Sequence, residues 1–323
     1  MAELACTFLG INLKSPIIVG SSTLTDSVEK IRSLEDYGAG AVVLKPIFEE
    51  EIDFEAGRII DLKPTAPEAI DYQNFFTRGH AIENYLKLIE KAKKEVKIPI
   101  FASINCLGSG EWINFIKSIE SSGADAVELN IFFFPDDKDF KAEDYEHALF
   151  EVAAKVAYAA KIPVFVKLVP YFTNLLNVVD QLFYRGIRGV VLFSHGFHLD
   201  LDIENLELTS ANSVDLPSDE FQVLRWTNII ASSFNKIEIS SSSNFNDCNS
   251  IIKLLLTGAN TIMLSSTLQK KGTAYLKILS EEILIWMNKL GFERIEQFQG
   301  QVNYNSLQDP FLFERSQFMK TFE

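Results

Sequence analysis

The sequence is poor in the residues that hold metals or cross-link small folds, with three cysteines and four histidines in 323 residues. Cys6, Cys106 and Cys248 are scattered and none sits in a CxxC spacing, so neither zinc nor an iron–sulfur cluster is signalled. Sparse, odd-numbered thiols suit a reducing cytoplasm, the compartment expected here. Basic residues are outnumbered, 30 Lys and Arg against 44 Asp and Glu, for a formal net charge of −14. That balance argues against a nucleic-acid or anionic-membrane surface. No apolar run approaches membrane-spanning length, and no basic segment leads into an apolar run at the N-terminus. The expectation is a soluble, cytoplasmic protein with neither nucleic-acid nor membrane partners.

The hydrophobic content, 47% of the chain, is enough for one large core, and a single domain over residues 1–323 is expected. Short β-branched apolar runs alternate with amphipathic stretches. The predicted strands are Pro16–Gly20, Ala41–Lys45, Ile98–Ile104, Ala126–Asn130, Pro163–Leu168, Gly189–Phe193, Ile237–Ser240 and Thr261–Leu264. They are apolar throughout, as parallel strands covered on both faces should be. Between them run helical patterns such as Asp26–Tyr37, Gly110–Ser122, Tyr145–Ala160, Leu175–Arg185 and Cys248–Thr257. Gly38, Gly123 and Gly258 follow three of these, as C-terminal caps do. Eight such units predict an α/β fold, a closed (β/α)8 TIM barrel. Long loops are expected after strand two (Pro46–Gly79) and strand six (Ser194–Pro217), where barrels carry lids and substrate walls.

Chemistry is expected at the C-terminal ends of the strands. Lys45 ends strand two and Lys167 lies inside the apolar fifth strand. Such cations are costly unless an anion or polar cofactor meets them, although both could also snorkel from the barrel ends. Ser240–Ser243 after strand seven and Ser265-Ser266 after strand eight occupy the loops that form the usual phosphate site of this fold. They could equally be a helix N-cap and turn. Asn105 and Asn130 offer amides to a ring or substrate, or could cap helices. His195-Gly196-Phe197-His198 lacks acidic partners, so no metal is expected. Asp136, Asp137 and Asp139 read as solvated charges, and Cys106 as packing or a nucleophile. The fourth strand ends at Asn130 and is followed by Phe132-Phe133-Phe134, with no acid, base or nucleophile.

These residues resemble the class 1, FMN-containing dihydroorotate dehydrogenases, nearly end to end. The marks are Phe8–Ile11 with Ser15–Ile18, Gly38–Lys45, Glu128-Leu129-Asn130, Val166–Phe172, Leu255–Ala259 and the tail from Gly291-Phe292 to Phe298–Gly300. The resemblance implies FMN as cofactor, with Ser21, Ser22, Lys45, Asn130 and Lys167 on its ring and Ser242, Ser243, Ser265 and Ser266 at its phosphate. Lys167 would stabilise charge on the reduced ring. Three departures stand out. Ser242-Ser243 and Ser265 replace the family's phosphate-loop glycines, as does Asn212–Ser218 before helix six. The family's Cys or Ser base falls on Phe132 or Phe133. The Asn-Ser of strand six becomes Phe193-Ser194, and the Asn after strand two has no counterpart near Gly79-His80.

Dihydroorotate needs several polar partners, and apolar replacements would cost about 1–3 kcal/mol each. The reading is therefore an FMN-dependent oxidoreductase of the CH–CH donor class acting on another small molecule, with Phe132, Phe133 and Ser194 at the substrate. Two alternatives stay open. One is a catalytically silent homologue with a binding or assembly role. The other is a true dihydroorotate dehydrogenase of pyrimidine biosynthesis with a displaced base such as Ser194, Cys106 or Asp136. Class 1 members are often dimers, which keeps a homodimer among the expectations.

Overall fold

The computed structural model describes residues 2–48, 81–106, 112–131, 138–194, 199–211, 218–245 and 247–322. Phe132–Phe134, Asp136, Asp137, His195, His198, Gly79-His80 and the stretch 212–217 lie outside them, and so do the expectations placed there.

The chain opens on an antiparallel hairpin, β1 (Cys6–Phe8) and β2 (Ile11–Leu13). Eight parallel strands then form the barrel: β3 (Ile17–Val19), β4 (Ala41–Val43), β6 (Ile100–Cys106), β7 (Ala126–Ile131), β8 (Val164–Leu168), β9 (Gly189–Leu192), β12 (Glu238–Ser242) and β13 (Thr261–Leu264). A short β5 (Ile47–Phe48) adds beside β6. Pairing of β13 with β3 and of β4 with β6 closes the ring, so the structure is the (β/α)8 barrel that the sequence predicts. Strands β3, β4 and β9 are wholly apolar because the core covers one face and the helical layer the other, while β6, β7, β8 and β12 also carry polar residues.

The helices close around it for local reasons. Helix α1 (Val28–Asp36) starts where Ser27 accepts from Lys30 N–H, and it buries Val28, Ile31 and Leu34. The helix Cys248–Thr257 starts on Asp247, which accepts from Ser250 N–H, and stops at Gly258 with φ 116°. Gly38 and Gly123 also have positive φ, at 97° and 92°. No helix among the described residues is long and apolar enough to cross a membrane.

The opening hairpin plugs the N-terminal end of the barrel. Phe8 is fully buried and meets Phe101 and Phe165 at ring-centroid distances of 6.4 and 5.7 Å, while those two lie 5.7 Å apart. Leu9 N–H donates to Glu238 Oε2 at 2.7 Å. Gly189 lets the hairpin come this close, since a Cβ there would stand 2.7 Å from Leu9 Cδ2. With this end sealed, the C-terminal end is left for chemistry.

Two sequence expectations change. The loop predicted from Ser194 to Pro217 contains a second hairpin, β10 (Leu199–Asp202) against β11 (Glu207–Ser210), with Leu201 opposite Leu208. Its leucines are exposed, so alternation there marks a ribbon rather than a core strand. The strand expected to end at Ser240 runs on to Ser242, and the following helix is capped by Asp247. The serine run is therefore mostly strand and caps no helix.

Candidate functional site

A cavity of about 350 Å³ opens at the C-terminal ends of the strands. Strand one and its loop contribute Gly20, Ser21 and Ser22, and Lys45 follows strand two. Lys167 comes from strand five, Ser242 and Ser243 from the end of strand seven, and Ser265 and Ser266 from the loop after strand eight. Of the cofactor residues expected from sequence, only Asn130 is missing from this wall. It sits beside it, paired in register with Lys167 on one side and Asn105 on the other. Ser194 donates to Asn130 Oδ1 at 3.4 Å, so this expected substrate residue touches the amide rather than the cavity. A larger cavity of about 720 Å³ lies on the flank, between the helix Glu220–Ser233 and the C-terminal helix Pro310–Lys320. No barrel strand contributes to it, and size alone does not outweigh the strand ends.

Alternation along the strands explains what faces the cavity. Phe101, Ser103 and Asn105 share one face of β6, Glu128 and Asn130 one face of β7, and Phe165 and Lys167 one face of β8. The barrel interior thus grades from an aromatic floor through Ser103 and Glu128 to Asn105, Asn130 and Lys167 near the mouth. Lys167 is half-buried, whereas Lys45 lies beyond the end of β4 and is exposed. An unmet ammonium is therefore costly at Lys167, whereas water solvates that of Lys45. Neither ammonium has an acidic partner among the described residues.

Glu128 enters the sequence reading only as part of the segment Glu128-Leu129-Asn130, with no site role given to it. It is fully buried, with Oε1 accepting from Ser103 Oγ at 2.8 Å and from the cavity residue Ser21 Oγ at 3.4 Å. Its Oε2 has no hydrogen-bond partner among the described residues. Tyr85 fixes the neighbouring backbone, with Ser103 N–H donating to its hydroxyl at 2.7 Å and the hydroxyl donating to Ser103 O at 3.0 Å. A carboxylate inside the apolar run Ala126–Ile131 is as costly as the lysine of strand five, and that was the available signal.

At the strand-seven end, Ser243 Oγ donates to Asp219 Oδ1. Asp219 is the N-cap residue of the helix Glu220–Ser233. Glu220 in turn accepts from Ser250 Oγ at 2.8 Å and pairs with Lys253 at 3.2 Å. The Asp247 carboxyl is held below the ordinary range, chiefly by the hydrogen bond from Ser250 N–H. Burial pushes the Cys6 and Cys248 thiols up to about 12, which makes them packing groups and poor nucleophiles. Asp139 is exposed, as expected of a solvated charge, and the Cys106 side chain lies outside the described residues.

Comparison with known proteins adds the wider setting. The family model described as Dihydroorotate dehydrogenase matches residues 3–214. The catalytic subunit of dihydroorotate dehydrogenase B (NAD(+)) from Thermoplasma volcanium is 26% identical over 312 residues, covering 93% of this chain and 98% of that protein. The dihydroorotate dehydrogenase (fumarate) of Lachancea kluyveri is 23% identical, covering 94% and 99%. The chloroplastic dihydropyrimidine dehydrogenase (NADP(+)) of Arabidopsis thaliana is 21% identical, covering 92% of this chain and 76% of that one. Among solved structures, dihydroorotate dehydrogenase of Eimeria tenella in complex with ferulenol superposes with a TM-score of 0.61 at 13% identity, over 92% of this chain and 88% of that one.

Proposed function

Because the chain belongs to the dihydroorotate dehydrogenase family, we propose that it is a flavin-dependent oxidoreductase whose substrate is not dihydroorotate. The observation that carries this reading is the cavity itself. It gathers residues from five separate strand ends around Lys167, a half-buried cation with no acidic partner among the described residues. A barrel interior holds such a cation at a cost unless a bound group supplies electron density to meet it. The donor set fits a flavin ring, with Lys45 and Lys167 as cations, Ser21 and Ser22 as hydroxyls and Asn130 as an amide beside them.

When bound, a flavin supplies hydride and single-electron chemistry that no side chain offers. The residues of this chain do the rest. Lys167 holds fixed positive charge where negative charge develops, so it needs no reorganisation at the moment of reaction. Asn130 stands next to it on β7, and Ser194 orients that amide from the end of β9, on the far side of β8.

The residues that follow β7 bear on the substrate. Phe132-Phe133-Phe134-Pro135 carries no group able to remove a proton, and loss of a general base costs about 10²–10⁴-fold. An apolar run there suits a substrate less polar than a ureide carboxylate. The test is simple. The purified chain should show flavin absorbance, or take up added flavin, and dihydroorotate should not bleach it under anaerobic conditions. A colourless protein that binds no flavin would sink the oxidoreductase reading, and rapid bleaching by dihydroorotate would sink the substrate argument alone.

A further inference from the structure

The strand-seven end of the cavity does not fit a phosphate. In this fold an anion there is bound by loop N–H groups, helix N-termini and small residues after strands seven and eight. Here the Ser243 hydroxyl donates to the Asp219 carboxylate. The short helix Ser266–Lys271 starts at Ser265 with neither an acid nor a side-chain cap bond, while two of the helix N-termini on this side carry the chain's own acids. Asp219 and Glu220 sit at one, and Asp247 accepts Ser250 N–H at 2.9 Å at the other. Each carboxylate already complements the helix dipole that an incoming phosphate would use. Asp219 also brings negative charge within one hydroxyl of the cavity wall, in surroundings less screened than water. Among the described residues the rest of this end is neutral, made by Ser242, Asn244, Ser265, Ser266 and Gln269. Hydroxyls and amides of that kind both donate and accept, which suits a neutral polyol.

We infer that the pocket selects a flavin whose side chain ends in a hydroxyl, riboflavin, over the phosphorylated form, with Asp219 as the residue that sets the preference through Ser243. The inference rests on the flavin reading above and narrows it. Lys45 and Lys167 line the same cavity but enter it from strands two and five, whereas Ser243 follows strand seven.

The full-length chain, freed of any bound flavin, is titrated separately with riboflavin and with FMN, following quenching of flavin fluorescence. Wild type should bind riboflavin at least as tightly as FMN. Asp219→Asn keeps the shape and removes the charge. It should tighten FMN about tenfold, the scale expected for one partly solvated charge, and leave riboflavin within about twofold. Ser243→Ala keeps the charge and should leave FMN weak, which separates the carboxylate from the hydroxyl it holds. Thermal unfolding of each variant confirms that a folded protein is compared. FMN binding more tightly than riboflavin to wild type, or an Asp219→Asn chain with unchanged FMN affinity, overturns the inference and leaves the flavin reading standing. Binding of neither flavin overturns both.

Discussion

At the residue scale, Lys45 and Lys167 look alike in sequence and differ in the fold. Both stand near the end of a strand in an apolar context, but only Lys167 lies within its strand and is half-buried. Its ammonium therefore has more electrostatic leverage on a bound ring than the exposed Lys45, whose field water screens. Lys167→Met keeps the stem and removes the charge. It should favour the oxidised over the reduced flavin, lowering the midpoint potential by about 30–60 mV, since about 30 mV corresponds to each tenfold change for a two-electron couple. Dye-equilibrated anaerobic reduction of the flavin-loaded protein reads this directly. Lys45→Met should move the potential less, and equal shifts would contradict the difference in burial. Glu128 marks the opposite lesson. Strand alternation places it one layer below Asn130 and Lys167, yet only the structure shows that Ser21 links it to the cavity wall.

At the element scale, the junction between the opening hairpin and β12 carries a pH signature. Burial raises the Glu238 carboxyl above its ordinary value of 4.5, against the smaller lowering effect of the bond from Leu9 N–H. A folded value above the unfolded one means that this group favours the fold fully below the unfolded value. That contribution is lost as pH rises through the folded value, so once ionised the half-buried carboxylate is a cost. Glu238→Gln keeps an acceptor for Leu9 N–H and has nothing to ionise. Relative to wild type, it should gain stability as pH goes from about 4 to about 7, measured by urea unfolding at both ends. A stability difference independent of pH would assign Glu238 no such role.

The barrel strands were legible because parallel strands buried on both faces are continuous apolar runs, and the span Thr261–Leu264 was read without error. The helix Cys248–Thr257 was equally clear because Asp247 and Gly258 bracket it. The hairpins were not. At three or four residues per strand they are too short for periodicity to register, and the exposed leucines of β10 and β11 follow no core face. The link between Ser243 and Asp219 joins two loops from different strand ends, and nothing local in either segment announces it.

At the scale of the whole molecule, stability and chemistry occupy opposite ends of one barrel. The N-terminal end is sealed by Phe8 against Phe101 and Phe165, and the cavity opens where β3, β4, β8, β12 and β13 end. Between them lie Ser103 and Glu128, a polar layer that separates the aromatic floor from the mouth. Such a division is what barrels of this kind permit, because the strands are rigid and each end is decorated independently. It predicts how damage at one end reaches the other. Phe8→Ala removes a fully buried ring that the closed floor can refill only in part, so it should cost about 3–5 kcal/mol. Flavin affinity, measured where the variant is still folded, should stay within about threefold of wild type, since sites without shared contacts behave nearly additively. Lys167→Met should give the mirror result, a changed flavin potential with little change in unfolding free energy. If Phe8→Ala instead weakened flavin binding in proportion to its loss of stability, floor and mouth would be one cooperative unit. The polar layer would then transmit strain rather than divide the two ends.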